Sequence, residues 1–230
     1  MVKVRFPLVI VNFKTYPEST GENAVRLAEI ISDISQESGV SSAVAPQAPD
    51  IKDIAKRVKI PVLAQHVDPI KPGRNTGFLS PECVRAAGAV GTLVNHSEHK
   101  LQLDQVDAII KRAKEAGLVT VACTADTSES RSVAKLTPDV IAVEPPELIG
   151  TGIPVSKAKP EVVLESVKAV RDINGQIRVL CGAGITTGED VTKAMELGAE
   201  GVLIASGVVC AKDQAAAFQD IVNGVLSFGT

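Results

Sequence analysis

The sequence predicts an α/β chain folded as a single (β/α)8 barrel domain over residues 1–230. Three observations predict it. Short runs dense in Val, Ile, Leu and Ala recur along the chain, as strands covered on both faces read. Amphipathic stretches of helical period separate them. The alternation amounts to eight strand–helix units with no linker, which favours a closed parallel barrel over an open doubly wound sheet. A length of 230 residues suits one barrel.

The first strand, 8–12, is apolar up to its last residue, Asn12. Ala24, Leu27, Ala28, Ile31 and Ile34 then mark one face of a helix that stops at Gly39. A strand at 42–45, a weaker helix near 51–58 and a strand at 61–65 follow. A long Gly- and Pro-punctuated connection over 71–78 separates them from a short helix near 81–87, which Gly88 ends. The strand at 91–95 leads to Val106, Ile109, Ile110 and Ala113, spaced i, i+3, i+4 and i+7 on a helix ended by Gly117. Next come a strand at 119–124, a weaker helix near 128–136 and a strand at 140–144. A helix starting near Ser156 places Val163, Val167 and Val170 on one face. Strands at 177–182 and 201–205 flank a last helix stop, Gly198. Several of these helices are short, so the barrel is expected to lean on contacts between subunits.

Composition narrows the function. Apolar residues make up 45% of the chain but aromatics only 3%, with no Trp, so the core must be aliphatic. The net charge of −3 is spread over interspersed residues, and no basic stripe suits nucleic acid. Cys83, Cys123, Cys181 and Cys210 form no CxxC pair, and the three His complete no zinc spacing, so no metal or cofactor is expected. The cysteines read as buried small hydrophobes in a reducing cytoplasm. The opening apolar run is too short for a secretion signal, and no run of 18 apolar residues offers a membrane span.

Chemistry belongs at the C-terminal ends of such strands. There the sequence places Asn12 and Lys14, Gln65, Asn95-His96-Ser97-Glu98, and Glu144. Strands 7 and 8 end in Gly182-Ala183-Gly184 and Ala205-Ser206-Gly207. A Lys, a His and a Glu thus converge opposite bare backbone. That set suits proton transfer beside a carbonyl: a carboxylate lifts a proton from carbon, a neutral imidazole polarises the oxygen, and an ammonium stabilises the enediolate. The small residues let backbone N–H groups approach a phosphate. Ser97-Glu98-His99-Lys100 reads as a short helical turn whose positive end disfavours an imidazolium at His96.

NFKTY, LVNHSE and AVEPPELIGTG resemble the three signature segments of the triosephosphate isomerases, and CGAGI and GVLIASG resemble their phosphate loops in the archaeal-type branch. The match runs in order along the whole chain. The resemblance implies a TIM barrel that interconverts dihydroxyacetone phosphate and D-glyceraldehyde 3-phosphate in glycolysis and gluconeogenesis. It implies Glu144 as the base, His96 as the electrophile, Lys14 and Asn12 as substrate-placing and charge-stabilising groups, and Ile149, Gly150, Gly184, Ala205 and Ser206 around the phosphate. It also implies a homo-oligomer, a dimer at least and a tetramer in the archaeal-like form, with the 71–78 loop reaching a neighbouring subunit through Thr76. Residues 147–152, between Pro145-Pro146 and Pro154, read as a flap that closes over the intermediate.

Three departures stand against the resemblance: Pro146-Glu147 where many members have Val-Trp, Gly184 where many have Ser, and Ala205-Ser206 where many have Gly-Gly. Taken singly, each site residue has an ordinary structural reading; the motif around it outweighs that reading for Lys14, His96 and Glu144. His66 and His99 lack such context and read as structural or exposed. Glu98 reads as orienting Lys14 or contacting a neighbour, and Gln65 as backing the site. Two other functions fit a barrel of this kind. A pentose-phosphate epimerase would need metal-binding His and Asp at several strand ends, and strands 2 and 7 offer none. A non-catalytic barrel would have lost one of Lys14, His96 and Glu144, and all three are present.

Overall fold

A computed structural model describes residues 4–145 and 158–228. The apolar runs form eight parallel strands in one sheet: β1 (Leu8–Asn12), β2 (Ser41–Ala45), β3 (Leu63–Ala64), β4 (Gly91–Val94), β5 (Val119–Thr124), β6 (Val140–Val143), β7 (Arg178–Cys181) and β8 (Gly201–Ile204). The hydrogen-bonded order is β2-β1-β8-β7-β6-β5-β4-β3. A parallel bridge between Val44 and Val62 joins the two ends, so the sheet closes on itself. The closing strand is shorter than the apolar run at 61–65 suggests, because Pro61 has no N–H to give a ladder and contributes only its carbonyl, to Val44 N at 3.1 Å.

Alternation along each strand divides the core in two. Leu8, Ile10, Leu63, Leu93, Val121, Val140, Ala142, Leu180 and Leu203 fill the barrel interior. Val9, Val11, Val44, Val94, Ile141, Val143 and Val179 face outward onto the helices. Two consequences follow for the mouth. The interior-facing register of β1 ends on Asn12, and that of β6 carries on to Glu144.

Around the sheet lie α1 (Glu22–Ser38), α2 (Ile51–Arg57), α3 (Pro81–Ala87), α4 (Leu103–Glu115), α5 (Thr127–Ala134), α6 (Pro160–Ile173), α7 (Gly188–Glu196), α8 (Ser206–Val209) and α9 (Gln214–Phe228), counted among the described residues. The apolar faces of α1, α4 and α6 are those the periodicity selects. Gly39 ends α1 with φ at 75°, a left-handed turn that glycine adopts without strain. Helix α5 starts one residue earlier than the sequence suggests, because the Asp126 carboxylate accepts from Glu129 N at 2.8 Å and caps it. Helix α7 runs to the stop that Gly198 marks, with φ at 94°, and α8 and α9 follow β8, where the sequence reading named no apolar face.

Helices α7 and α9 meet backbone to backbone. A Cβ on Gly224 would lie 2.1 Å from the Gly188 carbonyl oxygen, and one on Gly188 would lie 2.3 Å from the Asp220 carbonyl oxygen. The close approach is sealed by Gly188 N donating to Asp220 Oδ2 at 2.7 Å and Thr192 Oγ1 donating to Gly224 O at 2.9 Å.

The reading of the cysteines needs correction. Cys123 and Cys181 are buried, but Cys83 and Cys210 are exposed. Cys83 lies in the first turn of α3 and Cys210 caps the end of α8, where the chain passes over the surface.

Candidate active site

A cleft opens at the C-terminal ends of the strands, lined by Asn12, Lys14, Tyr16, His96, Glu144, Gly182, Gly184, Ile185, Thr186, Ala205 and Ser206 among others. At one wall the chain leaves β1 through a left-handed residue, Lys14, with φ at 48°. This backbone is held on both sides: Lys14 N donates to Asn12 Oδ1 at 2.9 Å, and the Gln65 amide donates to Lys14 O at 2.9 Å and Ala45 O at 3.0 Å. Gln65 therefore backs Lys14, as the sequence suggested. The Lys14 ammonium pairs with Glu98 Oε1 at 2.7 Å, which also fits the expectation for Glu98.

His96 sits at the N-terminal end of a short 3-10 turn, Ser97–His99, and its Nδ1 accepts from Glu98 N at 3.2 Å. A ring nitrogen that accepts has no proton, so the imidazole is the neutral tautomer with its hydrogen on Nε2. That Nε2 points at Glu144 Oε1, 3.6 Å away. Burial pulls the His96 pKa down to about 4; the Glu98 charge opposes this, and Lys14 and Lys100 reinforce it.

Glu144 is 4% exposed. Burial pushes its pKa up to about 7, against hydrogen bonding from the Cys123 thiol and the charges of Lys14 and Lys100. Its Oε2 has no hydrogen-bond partner among the described residues. The carboxylate leans over β7 at a place only glycine leaves open: a Cβ on Gly182 would lie 2.4 Å from Glu144 Cγ. A raised carboxylate facing a depressed imidazole is a pair tuned for proton transfer near neutral pH.

The opposite wall is backbone. Gly184, with φ at 71°, and Ala205 and Ser206 line it. Helix α8 starts at Ser206; Val208 N and Val209 N donate to Ala205 O, which leaves the N–H groups of Ser206 and Gly207 without a partner in the helix. The Asp190 carboxylate shapes the strand-7 loop by accepting from Thr186 N, Thr187 N and Thr186 Oγ1 at 3.0–3.2 Å. Gly207 lets the strand-8 loop press on it, since a Cβ there would lie 3.1 Å from Thr186 Cα.

The family model for triosephosphate isomerase matches residues 7–225. The chain belongs to the triosephosphate isomerase family. It is 53% identical over 217 residues to the triosephosphate isomerase of Methanothermus fervidus, covering 94% of this chain and 98% of that one. It is 54% identical over 219 residues to that of Methanobacterium bryantii, covering 95% and 97%. It is 52% identical over 216 residues to that of Methanocaldococcus jannaschii, covering 94% and 99%. These relatives agree with the archaeal-type form of the motifs. A Glu base beside a neutral His is the established pairing of this family, and the geometry here has that form.

Asn12, Lys14, His96, Glu144, Gly184, Ala205 and Ser206 thus come together around one cleft. Ile149 and Gly150, with Pro146-Glu147 and the expected flap, lie outside the described residues. His66 and His99 stand beside the cleft with ring centroids 4.4 Å apart, and His66 also meets Asp68. The sequence reading missed Tyr16, Thr186, Asp190 and Gly182 in its packing role. Tyr16 is the last residue of the NFKTY segment, which was read only for Asn12 and Lys14; Asp190 follows from the capping pattern Thr187-Gly188-Glu189-Asp190.

Proposed function

We propose that this chain is a triosephosphate isomerase whose acid–base work is done by Glu144 and His96. The observation that supports this best is the buried, neutral His96 with its Nε2 3.6 Å from the Glu144 carboxylate. In this reading Glu144 takes a proton from carbon 1 of dihydroxyacetone phosphate and returns it at carbon 2, giving D-glyceraldehyde 3-phosphate. The His96 Nε2–H donates to the substrate carbonyl oxygen as it becomes an enediolate oxygen. Lys14 leaves Glu98 to meet the developing negative charge, and Asn12 fixes both the Lys14 backbone and the substrate oxygen. Gly184, Ala205 and Ser206 hold the phosphate through backbone N–H groups, with Ile149 and Gly150 completing that grip as the family resemblance implies.

The same reading covers residues 1–230 with one barrel domain and places the enzyme in the cytoplasm, in glycolysis and gluconeogenesis. No described helix is long and apolar enough to cross a membrane. It also makes the chain a homo-oligomer, at least a dimer and in this branch a tetramer. The exposed tip of the loop between β3 and α3 supports this. Its base is tied by Asp68 N to Leu79 O at 2.8 Å and by Arg112 to Ile70 O, while Thr76 and Phe78 project into solvent.

The test is a coupled assay with glyceraldehyde 3-phosphate, run with and without a chelator. Rapid isomerisation indifferent to chelation is expected. Turnover that the chelator abolishes would favour a metal-dependent epimerase, and no turnover would favour a non-catalytic barrel.

A further inference from the structure

Strict alternation along β4 would aim Asn95 into the barrel and His96 out of it, because Leu93 faces the interior and Val94 the helices. The structure does the opposite. Asn95 adopts φ at 60°, a left-handed conformation uncommon for a residue with a side chain, and His96 turns into the cleft. Asn95 instead points outward and makes three side-chain hydrogen bonds. Its amide donates to Cys123 O and to Glu129 Oε1, both at 2.9 Å, and its oxygen accepts from Leu101 N at 3.0 Å. It is 2% exposed.

Glu129, on α5, is the hub behind it. Its Oε2 accepts from Ala125 N at 2.6 Å, and the Lys100 ammonium donates to its two oxygens at 2.6 and 2.9 Å. One carboxylate therefore ties the segment that leaves β4 to the end of β5. The end of β5 in turn sets the base, since Glu144 N donates to Thr124 O at 2.7 Å. We infer that Glu129, acting through Asn95, is a positioning residue for His96: it holds the reversal of β4 that turns the imidazole toward Glu144. This rests on the acid–base roles given above. Glu129 touches neither the cleft nor the reacting atoms; its effect is to fix the spacing of the two groups that do.

The test uses the full chain as wild type, E129A, E129Q, N95G and the double variant E129A/N95G. It measures kcat and KM for glyceraldehyde 3-phosphate and 15N spectra of the His96 ring. E129A is expected to lose roughly 10- to 100-fold in kcat with KM within about twofold, since a displacement of about 1 Å can cost on the order of 10²-fold. E129Q keeps one accepting oxygen and should fall between. Glycine accepts the left-handed turn but cannot reach Glu129, so the double variant should be no slower than N95G alone. The His96 ring resonances should move in E129A. Should E129A not stay folded by circular dichroism, E129Q is read in its place with the same sign. A folded E129A with wild-type kcat, effects that multiply in the double variant, or unmoved His96 resonances would each overturn the inference. An inactive wild type would overturn the proposed function instead, and the ring spectra would still decide whether Glu129 sets His96.

Discussion

Folding makes Glu144 hard to ionise, and this has a sign that can be worked out. Its pKa rises from an ordinary 4.5 to about 7 through burial. Between those values the folded state holds a proton the unfolded state has released, so stability falls as pH rises through about 7. Above that, the full penalty is roughly 3 kcal/mol. Glu144→Gln should therefore raise the unfolding free energy by up to about 3 kcal/mol at pH 8 and by much less at pH 5, read by urea titration at both pH values. A gain of equal size at both would mean the carboxylate is not buried as described. With Glu144 as the proposed base, catalysis runs the other way, because that carboxylate must be ionised. kcat/KM should climb toward a plateau above about pH 7, with no limb from His96, whose pKa lies near 4. Gly182 sets the position of this carboxylate from below. Gly182→Ala puts a methyl 2.4 Å from Glu144 Cγ, so kcat should fall on the order of 10²-fold with KM little changed; an alanine variant as fast as wild type would remove that constraint. Residues of this kind divide by legibility. Asn12, Lys14, His96 and Glu144 could be read because reactive types stand at strand ends. Gly182 was read only as room for a phosphate, and Glu129 not at all, because a Glu on an amphipathic helix looks like any solvated face.

At the scale of elements, strands were easier to read than the helices near the C-terminus. A buried parallel strand is a short apolar run bounded by polar residues, and all eight were legible to within one residue at each end except β3, which starts two residues late because of Pro61. Helix α9 went unread although Phe218, Ile221, Val222 and Val225 keep helical spacing on its buried face, and α7 was marked only by its stop at Gly198. What the apolar pattern does not reveal is that Gly188 and Gly224 let two backbones touch. Gly224→Ala should consequently cost more than helix propensity alone would gain. A methyl 2.1 Å from Gly188 O forces the helices apart, and overpacking of this kind costs about 1–3 kcal/mol. Because Gly188 opens the helix that Asp190 uses to shape the strand-7 loop, KM for the triose phosphate should rise as well. Thermal melts and initial rates check the two effects; an alanine variant with unchanged melting temperature and KM would show that the contact is slack.

For the molecule as a whole, the sheet closes through a single bridge between β2 and β3, and the loop that follows β3 projects an exposed Phe78, 60% accessible, beside Thr76. Apolar surface of this sort on a projecting tip is expected to be covered by a second copy. Sedimentation at micromolar concentration should give a dimer or tetramer, and an active monomer would remove the proposed assembly. The pattern of eight units made the barrel legible, whereas the mode of assembly lies in surface shape that periodicity does not encode. The Gly188–Gly224 contact also orders events in time. Protein synthesis runs from N- to C-terminus, so Asn12, Lys14, His96 and Glu144 are all in place along the nascent chain before residues 214–228 have been made. Until that last helix arrives, Gly188 N lacks Asp220 and Thr192 lacks the Gly224 carbonyl. The growing chain thus acquires the proposed acid–base pair first and the contact that braces the helix behind the strand-7 loop last.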